Sequence, residues 1–172
     1  MRRTRFDDNY CSVARCVDLL GDWWTPLLLR ECFYGVRRFA DFEARLGIGK
    51  NILTQRLNRL VKEGILLKVA YQQRPVRSEY RLTPMGREFF GVVAAMLRWG
   101  DDWLAGPDGP AMVLRDRTTG KAVRPVVVDE ETGQRLDVRN LYPSPGPGLP
   151  QDMQAEARRY FDGEPVKPRN RS

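Results

Sequence analysis

Residues 39–63 read FADFEARLGIGKNILTQRLNRLVKE, and this stretch decides the fold. Apolar side chains at helical spacing predict a short helix over residues 39–46. Gly47-Ile48-Gly49 interrupts the pattern, and a second helix is predicted over residues 50–63. Two short helices joined by a glycine-containing turn are typical of a helix-turn-helix, in which the second helix is a rod that fits the DNA major groove.

The predicted helix over residues 50–63 has two unlike faces. Its leucines, at positions 53, 57 and 60, form a stripe that we expect to be core. Side-chain amides suit adenine, guanidinium groups suit guanine or phosphate, and a threonine suits a thymine methyl group or a phosphate. We therefore predict DNA contacts for the polar residues of the opposite face: Asn51, Thr54, Gln55, Arg56, Asn58 and Arg59.

The elements on either side complete a recognisable order. Two helices are predicted before the pair, and a β-hairpin followed by a long helix is predicted after it. The polar loop of the hairpin, residues 72–78, carries Arg74 and Arg77, which we expect to contact an adjacent narrow groove or the DNA backbone. This order is typical of a winged helix-turn-helix: helix, helix, short helix, helix, hairpin, helix.

The positive charge of the chain is concentrated in this region. Residues 37–81 contain eleven Lys and Arg against four Asp and Glu, an excess of seven that equals the net charge of all 172 residues. A localised basic excess is typical of a surface that binds a polyanion. Arg37 and Arg38, ahead of the short helix, and Lys50, at the start of the second, are expected to contact phosphates.

Composition argues against an enzyme. The chain has no His, so it has neither a Ser-His or Cys-His nucleophile pair nor a His-ligated zinc site. Its three cysteines, Cys11, Cys16 and Cys32, are too few for a four-cysteine zinc site. No apolar run approaches the roughly 18 residues of a membrane span, and no secretory signal is recognisable. We expect a cytoplasmic binding protein with no metal, no cofactor and no membrane partner.

Composition also predicts the domain organisation. A winged helix-turn-helix domain for DNA binding and dimerisation is expected over residues 1–105, followed by a Gly- and Pro-rich linker at 106–110. Residues 111–148 are expected to form a small β-hairpin module, and residues 149–172 a tail with one short helix. The strands of the module are predicted over three runs: 111–117, 122–128 and 135–139. The fold class is thus α+β, mostly helical with a β-hairpin wing, plus a small β-rich C-terminal module.

Several runs of residues resemble a known family, the HxlR-type transcriptional regulators. These runs are CSVAR at 11–15, DLLG at 18–21, WT at 24–25, RRFADF at 37–42, ILTQRL at 52–57 and YRLTPMGR at 80–87. The resemblance covers about residues 10–104 and implies a homodimeric, sequence-specific DNA binder of the MarR-like superfamily. It also implies that residues 50–63 are the recognition helix, that residues 72–78 are the wing, and that the first and last helices of the domain form the dimer interface.

The chain departs from that family in three places, one of which is Trp23, where the family usually has Lys. Gly49 and Lys50 stand where the family usually has Ser, often followed by Pro, and the change bears on site preference rather than on binding. Some relatives carry a zinc-ribbon-like extension where residues 111–148 stand, but this segment has no Cys or His. We therefore expect a metal-free version of that extension.

The resemblance also suggests how a signal reaches the protein. Cys11 stands where some HxlR-type proteins sense oxidants or electrophiles, near the N-terminus of a predicted helix. The alternative is an inert thiol. Trp23 and Trp24 are candidates for an aromatic effector pocket, with ordinary packing as the alternative.

Our functional expectation from sequence is a homodimeric transcriptional regulator that binds double-stranded DNA and responds to an oxidant, an electrophile or an aromatic small molecule. The alternative is a winged-helix module for protein contacts without specific DNA binding. The basic excess on residues 37–81 favours the first, because a protein-interaction module does not need it.

Overall fold

The computed structural model of the chain describes Phe6 and residues 9–161. The final residues of the predicted 149–172 tail, from 162 onward, lie outside the described part. The regular elements of that part, in chain order, are α1 (Ser12–Leu20), α2 (Trp24–Phe33), α3 (Phe39–Leu46), α4 (Lys50–Lys62), β1 (Leu66–Gln73), β2 (Val76–Leu82), α5 (Pro84–Glu88), α6 (Phe90–Trp103), a 3-10 turn (Val138–Asn140) and α7 (Gln151–Phe161).

The chain forms two compact units. One comprises residues 16–126, and the other combines the described residues before Cys16 with those after Val126. Prediction from composition instead placed a linker at 106–110 and one module at 111–148, and those bounds stay a prediction. The helix-turn-helix, the hairpin and helix α6 all belong to the first unit.

The helix-turn-helix predicted over residues 39–63 is confirmed. Helix α3 ends at Gly47, whose φ of 63° is left-handed and is adopted by glycine without the strain of a side chain. Ile48 then points into the core, and Gly49 has the extended backbone of an N-cap for α4. The turn therefore fixes how α4 leaves α3.

The core of the first unit lies behind α4. Leu53, Leu57 and Leu60 of that helix are completely or almost completely buried, as expected. Side chains from α2, from α3 and from the chain where it enters β1 belong to the same buried cluster: Leu28, Leu29, Cys32, Phe42, Ile65 and Leu66. Because the whole leucine face is used for packing, the polar side of α4 is left at the surface.

The hairpin is longer than predicted, and its loop is shorter. Strands β1 and β2 pair antiparallel from Leu66 opposite Leu82 to Gln73 opposite Val76, with a bulge between Ala70 and Gln72. Only residues 74–75 stand outside the two strands, so most of the loop expected at 72–78 is strand. Arg77, which pairs with Gln72, is part of the ladder despite its polarity.

The long helix predicted after the hairpin is interrupted. Thr83 caps α5 by accepting a 2.9 Å hydrogen bond from the Gly86 amide, and α5 ends after five residues. Phe89 separates it from α6, which runs from Phe90 to Trp103.

The strands predicted over 111–117, 122–128 and 135–139 are not formed among the described residues. Instead, each of two tight turns is closed by a single backbone β-bridge, one between Arg115 and Ala122 and one between Val128 and Arg135. Pro125 lacks the amide that a central strand position must donate, which limits the pairing of the middle run. The β-rich character of the C-terminal module is therefore not confirmed.

The two turns share one hydrogen-bonding pattern. Asp116 accepts bonds from the amide and hydroxyl of Thr119 at 2.7 and 2.8 Å, and Asp129 accepts the same pair from Thr132 at 2.8 and 2.7 Å. A glycine with positive φ follows each threonine, at positions 120 and 133. Side-chain hydrogen bonds hold these turns where a ribbon would use metal ligands, but descent from such a ribbon stays a prediction.

Candidate nucleic-acid interface

The surface side of helix α4 carries the predicted base-reading residues. Asn51, Gln55 and Asn58 are exposed, and so is Lys50 at the start of the helix. Thr54 is exposed as well, but its hydroxyl donates a 2.8 Å hydrogen bond to the Lys50 carbonyl of the same helix. The three amides thus keep both donors and acceptors at the surface, and Thr54 presents a hydroxyl that is already donating.

One exposed residue on this face was missed by the sequence analysis. Ile52 lies beside Asn51 and keeps 41% of its surface exposed, although it is apolar. An apolar side chain on a helix that reads DNA suits a thymine methyl group. The helical spacing was the available signal, since Ile52 falls outside the stripe formed by Leu53, Leu57 and Leu60.

Two arginines of α4 have partners within the chain. The Arg56 Nε atom lies 2.9 Å from Asp22 Oδ2 as an ion pair, at an angle too oblique for a hydrogen bond. Arg59 Nη2 donates to the Asp18 carboxylate at 3.2 Å and to the Asp18 carbonyl at 2.7 Å. The predicted DNA contacts of Arg56 and Arg59 stay untested, and both side chains are occupied in this state. Asp18 and Asp22 were not predicted from the sequence, although the two acids are four residues apart and the two arginines three.

The basic residues ahead of α3 are joined to the hairpin. The Tyr80 amide donates a 2.7 Å hydrogen bond to the Arg37 carbonyl. The backbone of Arg38 forms an isolated antiparallel β-bridge with that of Glu79. The Arg38 guanidinium group lies 4.8 Å from the centre of the Tyr71 ring, within cation–π range. Both arginines are exposed. Their positions are therefore coupled to the wing rather than to a loose loop.

The tip of the hairpin presents the remaining predicted contacts. Arg74 and Arg77 are both exposed. The Gln72 side-chain amide donates to the Arg74 carbonyl at 3.0 Å and holds the turn. The structure thus keeps these two cations together on the wing and places Arg37 and Arg38 at its base, where β2 pairs with the chain.

Comparison with known proteins identifies the family. The family model described as HxlR-like helix-turn-helix matches residues 19–107. The chain belongs to this family. The match contains α2 to α6 and ends just beyond α6, so it covers both the helix-turn-helix and the wing.

Relatives and solved structures extend the similarity of this HxlR-like chain. The uncharacterized HTH-type transcriptional regulator Rv3095 of Mycobacterium tuberculosis is 42% identical over 138 residues, which are 80% of this chain and 87% of that protein. The crystal structure of PA1607, a transcription-factor candidate, aligns with a TM-score of 0.74 at 36% identity, covering 82% of this chain and 99% of that one. The redox regulator HypR, in its reduced form, aligns with a TM-score of 0.51 at 31% identity, covering 54% and 92%. The family and these relatives favour a DNA-binding regulator over an enzyme.

The three cysteines of the HxlR-like chain differ in access to solvent. Cys11 is exposed, Cys16 is half-buried and Cys32 is buried. Burial, reinforced by the neighbouring Glu31 carboxylate, raises the pKa of Cys32 to about 12. Of the three, Cys11 is the one that a reagent in solution reaches most easily.

The two tryptophans before α2 are placed differently. Trp24 is half-buried against the core, whereas Trp23 is 89% exposed. The described residues therefore give the pair no shared pocket, and Trp23 is not packed inside this chain. Their predicted role toward an effector stays untested.

Helix α6 carries an exposed apolar stripe. Met96, Trp99 and Trp103 keep 50%, 59% and 74% of their surface exposed. Val92, one turn earlier, is also exposed, so the four side chains follow the i, i+4, i+7, i+11 spacing of one helix face. A contiguous apolar stripe of this kind is typical of an interface.

No described helix combines the length and the apolar composition that crossing a bilayer requires. Among the described residues, no group of three or more acidic or cysteine side chains is arranged to hold a metal ion.

Proposed function

We propose that this chain is a transcriptional regulator that binds double-stranded DNA as a homodimer. Helix α4 enters the major groove, and the wing of β1 and β2 contacts the flanking groove or backbone. The observation that carries this proposal is the two-faced α4: its leucines are fully used in the core, and Asn51, Gln55 and Asn58 are exposed on its other side. Amide groups on a surface helix of this fold have the chemistry to read adenine edges.

Phosphate contacts are assigned to the cations around α4. Lys50 is 3.9 Å from Glu43 in an exposed pair, which is weak enough to be exchanged for a phosphate. Arg37, Arg38, Arg74 and Arg77 are exposed at the base and tip of the wing. These contacts set affinity and orientation, whereas the amides of α4 set sequence preference.

The dimer is assigned to the stripe on α6. A monomer would leave the large apolar side chains of Met96, Trp99 and Trp103 exposed to water. A dimer that buries them gains the favourable free energy of apolar burial. Helix α1 adds Val17, which is also exposed. The resemblance to HxlR-type proteins supports the same two helices. Two copies related by a two-fold axis would present two α4 helices to half-sites about one helical turn apart.

A redox response is assigned to Cys11. Its exposure supports this assignment, and HypR, a structural neighbour, is described in a reduced and an oxidized form. An aromatic effector at Trp23 is the other input, supported by the exposure of that ring. The alternative function, a winged-helix module for protein contacts, is not favoured by the family or by the relatives.

The proposal is tested by selection of bound DNA from a random duplex library with the full-length chain. We expect enrichment of a pseudo-palindromic duplex whose half-sites lie about one helical turn apart. Retention should fall steeply with salt, because several phosphate contacts release counterions. Salt-sensitive retention of all duplexes alike, without enrichment, would contradict the proposed sequence-specific regulator.

A further inference from the structure

The two arginines on the flank of α4 are held by acids from the α1–α2 corner. Arg56 pairs with Asp22, and their side chains are 25% and 9% exposed. Arg59 pairs with Asp18, with side chains 23% and 15% exposed, and its guanidinium group also reaches the Asp18 carbonyl. These pairs are more shielded from water than ordinary surface pairs and are correspondingly less screened.

Asp22 is itself fixed in place. Its Oδ1 atom accepts hydrogen bonds from the amides of Trp24 and Thr25 at 2.8 and 3.0 Å, and its Oδ2 atom accepts one from the Thr25 hydroxyl at 2.9 Å. Thr25 is buried, so this end of α2 has little freedom. The same carboxylate thus caps α2 and binds the side of α4 through Arg56.

We propose that Asp22 and Asp18 are positioning residues for DNA recognition. Through Arg56 and Arg59 they set how α4 is rotated about its own axis and how far it stands from the core. These two quantities decide how α4 presents Asn51, Gln55 and Asn58. Arg56 and Arg59 then act on DNA indirectly, by holding the helix, and are not themselves base-reading groups. This inference rests on the proposed function, because it concerns how the same α4 surface is oriented.

The arrangement of charge supports positioning over direct contact. A guanidinium group that reads guanine must leave its carboxylate, and separating a partly buried pair is unfavourable. The exposed cations Lys50, Arg74 and Arg77 reach phosphates without breaking any comparable pair. Recognition also requires reading groups that are held closely in place by their supporting contacts.

The test uses the full-length chain and two probes, the duplex most enriched by the wild type and a shuffled duplex of the same composition. Dissociation constants for both are measured over a series of salt concentrations. The variants are Asp22→Asn, Arg56→Gln, the double variant and Asp18→Asn. Asn is also a good N-cap, so Asp22→Asn keeps the cap of α2 while removing the charge that holds Arg56. Glu63→Gln and Lys62→Gln, at exposed positions at the end of α4, match the changes of charge.

We expect Asp22→Asn and Arg56→Gln each to lower discrimination between the duplexes about three- to tenfold, which lies in the lower part of the range for coupled contacting residues. The double variant should lose no more discrimination than either single variant, because the two substitutions remove the same contact. Asp18→Asn should have a smaller effect, since the 2.7 Å bond from Arg59 to the Asp18 carbonyl remains. Glu63→Gln and Lys62→Gln should change both affinities alike and leave discrimination unchanged.

Three outcomes would overturn the inference. One is tighter binding of both duplexes by Asp22→Asn with a salt slope steeper by about one, which means that Arg56 is released to a phosphate. Another is a double variant whose loss of discrimination equals the sum of the losses from Asp22→Asn and Arg56→Gln. The third is unchanged discrimination in both Asp variants, each checked for cooperative thermal unfolding.

Failure of this inference is separable from failure of the proposed function. If the wild type enriches no duplex, the proposed function fails. If Gln55→Ala loses discrimination and both Asp variants keep it, α4 reads DNA and only the positioning role is wrong.

Discussion

Glu31 of α2 and Arg45 of α3 form an ion pair that joins these two helices, and Glu31 is only 2% exposed. Arg30 also donates to the Glu31 carboxylate, at 2.7 Å. Arg45 stands in the last turn of α3, two residues before Gly47 and the turn into α4. The pair therefore ties the orientation of the helix-turn-helix to α2.

This pair predicts how stability depends on pH. Burial acts to raise the pKa of Glu31, but hydrogen bonds from Arg45 and Arg30 outweigh it and hold the pKa below its ordinary value. A lowered folded-state pKa contributes stability above the ordinary carboxyl value of about 4.3, and that stability is lost as pH falls through the folded-state pKa. Chemical denaturation at pH 7 and in acid measures this effect. The free energy of unfolding should fall less between pH 7 and acid for Glu31→Gln than for wild type.

At pH 7 we expect Glu31→Gln to lower the free energy of unfolding by roughly 3 kcal/mol, the lower end for breaking a buried pair, because both arginines are partly exposed. Glu43→Gln is the control, since its pair with Lys50 is exposed and 3.9 Å long. It should change stability by less than about 1 kcal/mol. Equal effects of the two substitutions would contradict the structural role of Glu31.

The second prediction concerns the approach of α5 to the start of the hairpin. A Cβ atom added to Gly86 would stand 2.2 Å from the Ile65 carbonyl oxygen, so the backbone must move. Gly86→Ala should lower the free energy of unfolding by about 1–3 kcal/mol or more. Gly91→Ala, in α6, meets no atom within 4 Å and should be neutral or stabilising by up to about 1 kcal/mol. Thermal denaturation of both variants measures the contrast, and a neutral Gly86→Ala would show that this contact is not tight.

The cysteines give the third prediction. Burial raises the pKa of Cys32 to about 12, so this thiol stays protonated at pH 8, and its side chain is buried. Iodoacetamide at pH 8 followed by peptide mass spectrometry should therefore modify Cys11 well before Cys32. Treatment with diamide should form a Cys11 disulfide between two chains and change DNA binding, and Cys11→Ser should abolish both effects. A Cys11→Ser protein that keeps the full oxidant response would contradict the proposed sensor.

Helix α6 gives the fourth prediction. Trp99→Glu places a charge in the proposed dimer interface and should shift the chain from dimer to monomer in sedimentation equilibrium. Leu67→Glu is the matched control, because Leu67 of β1 is 55% exposed and Trp99 is 59% exposed. The control should remain dimeric. A dimeric Trp99→Glu protein would place the interface elsewhere.

Local sequence patterns were sufficient for the part of the fold around the candidate site. The spacing of apolar residues predicted α3 and α4, and glycines marked the turn between them, because both signals depend on residues close in the chain. The amide face of α4 followed from the same periodicity. Packing of the leucines confirmed which side of the helix is buried.

Features that depend on residues far apart in the chain were not predictable in this way. The partners of Arg56 and Arg59 lie in α1 and the turn after it, 34 and 41 positions away, and no local pattern pairs them. Residues 111–139 have β-branched residues and turn signals, but Pro125 and the short spans between turns leave only single bridges. Composition there favoured strands that backbone pairing does not support.

The central claim is that the exposed amides of α4 read bases. The most direct measurement is the affinity of wild type and Gln55→Ala for the selected duplex and for the same duplex substituted at each base pair in turn. We predict that Gln55→Ala weakens binding to the selected duplex by about 1–3 kcal/mol and removes the preference at one base pair of each half-site, while Arg74→Ala weakens all duplexes alike and lowers the salt slope by about one. If Gln55→Ala keeps the wild-type preference at every position, α4 is not the reading element.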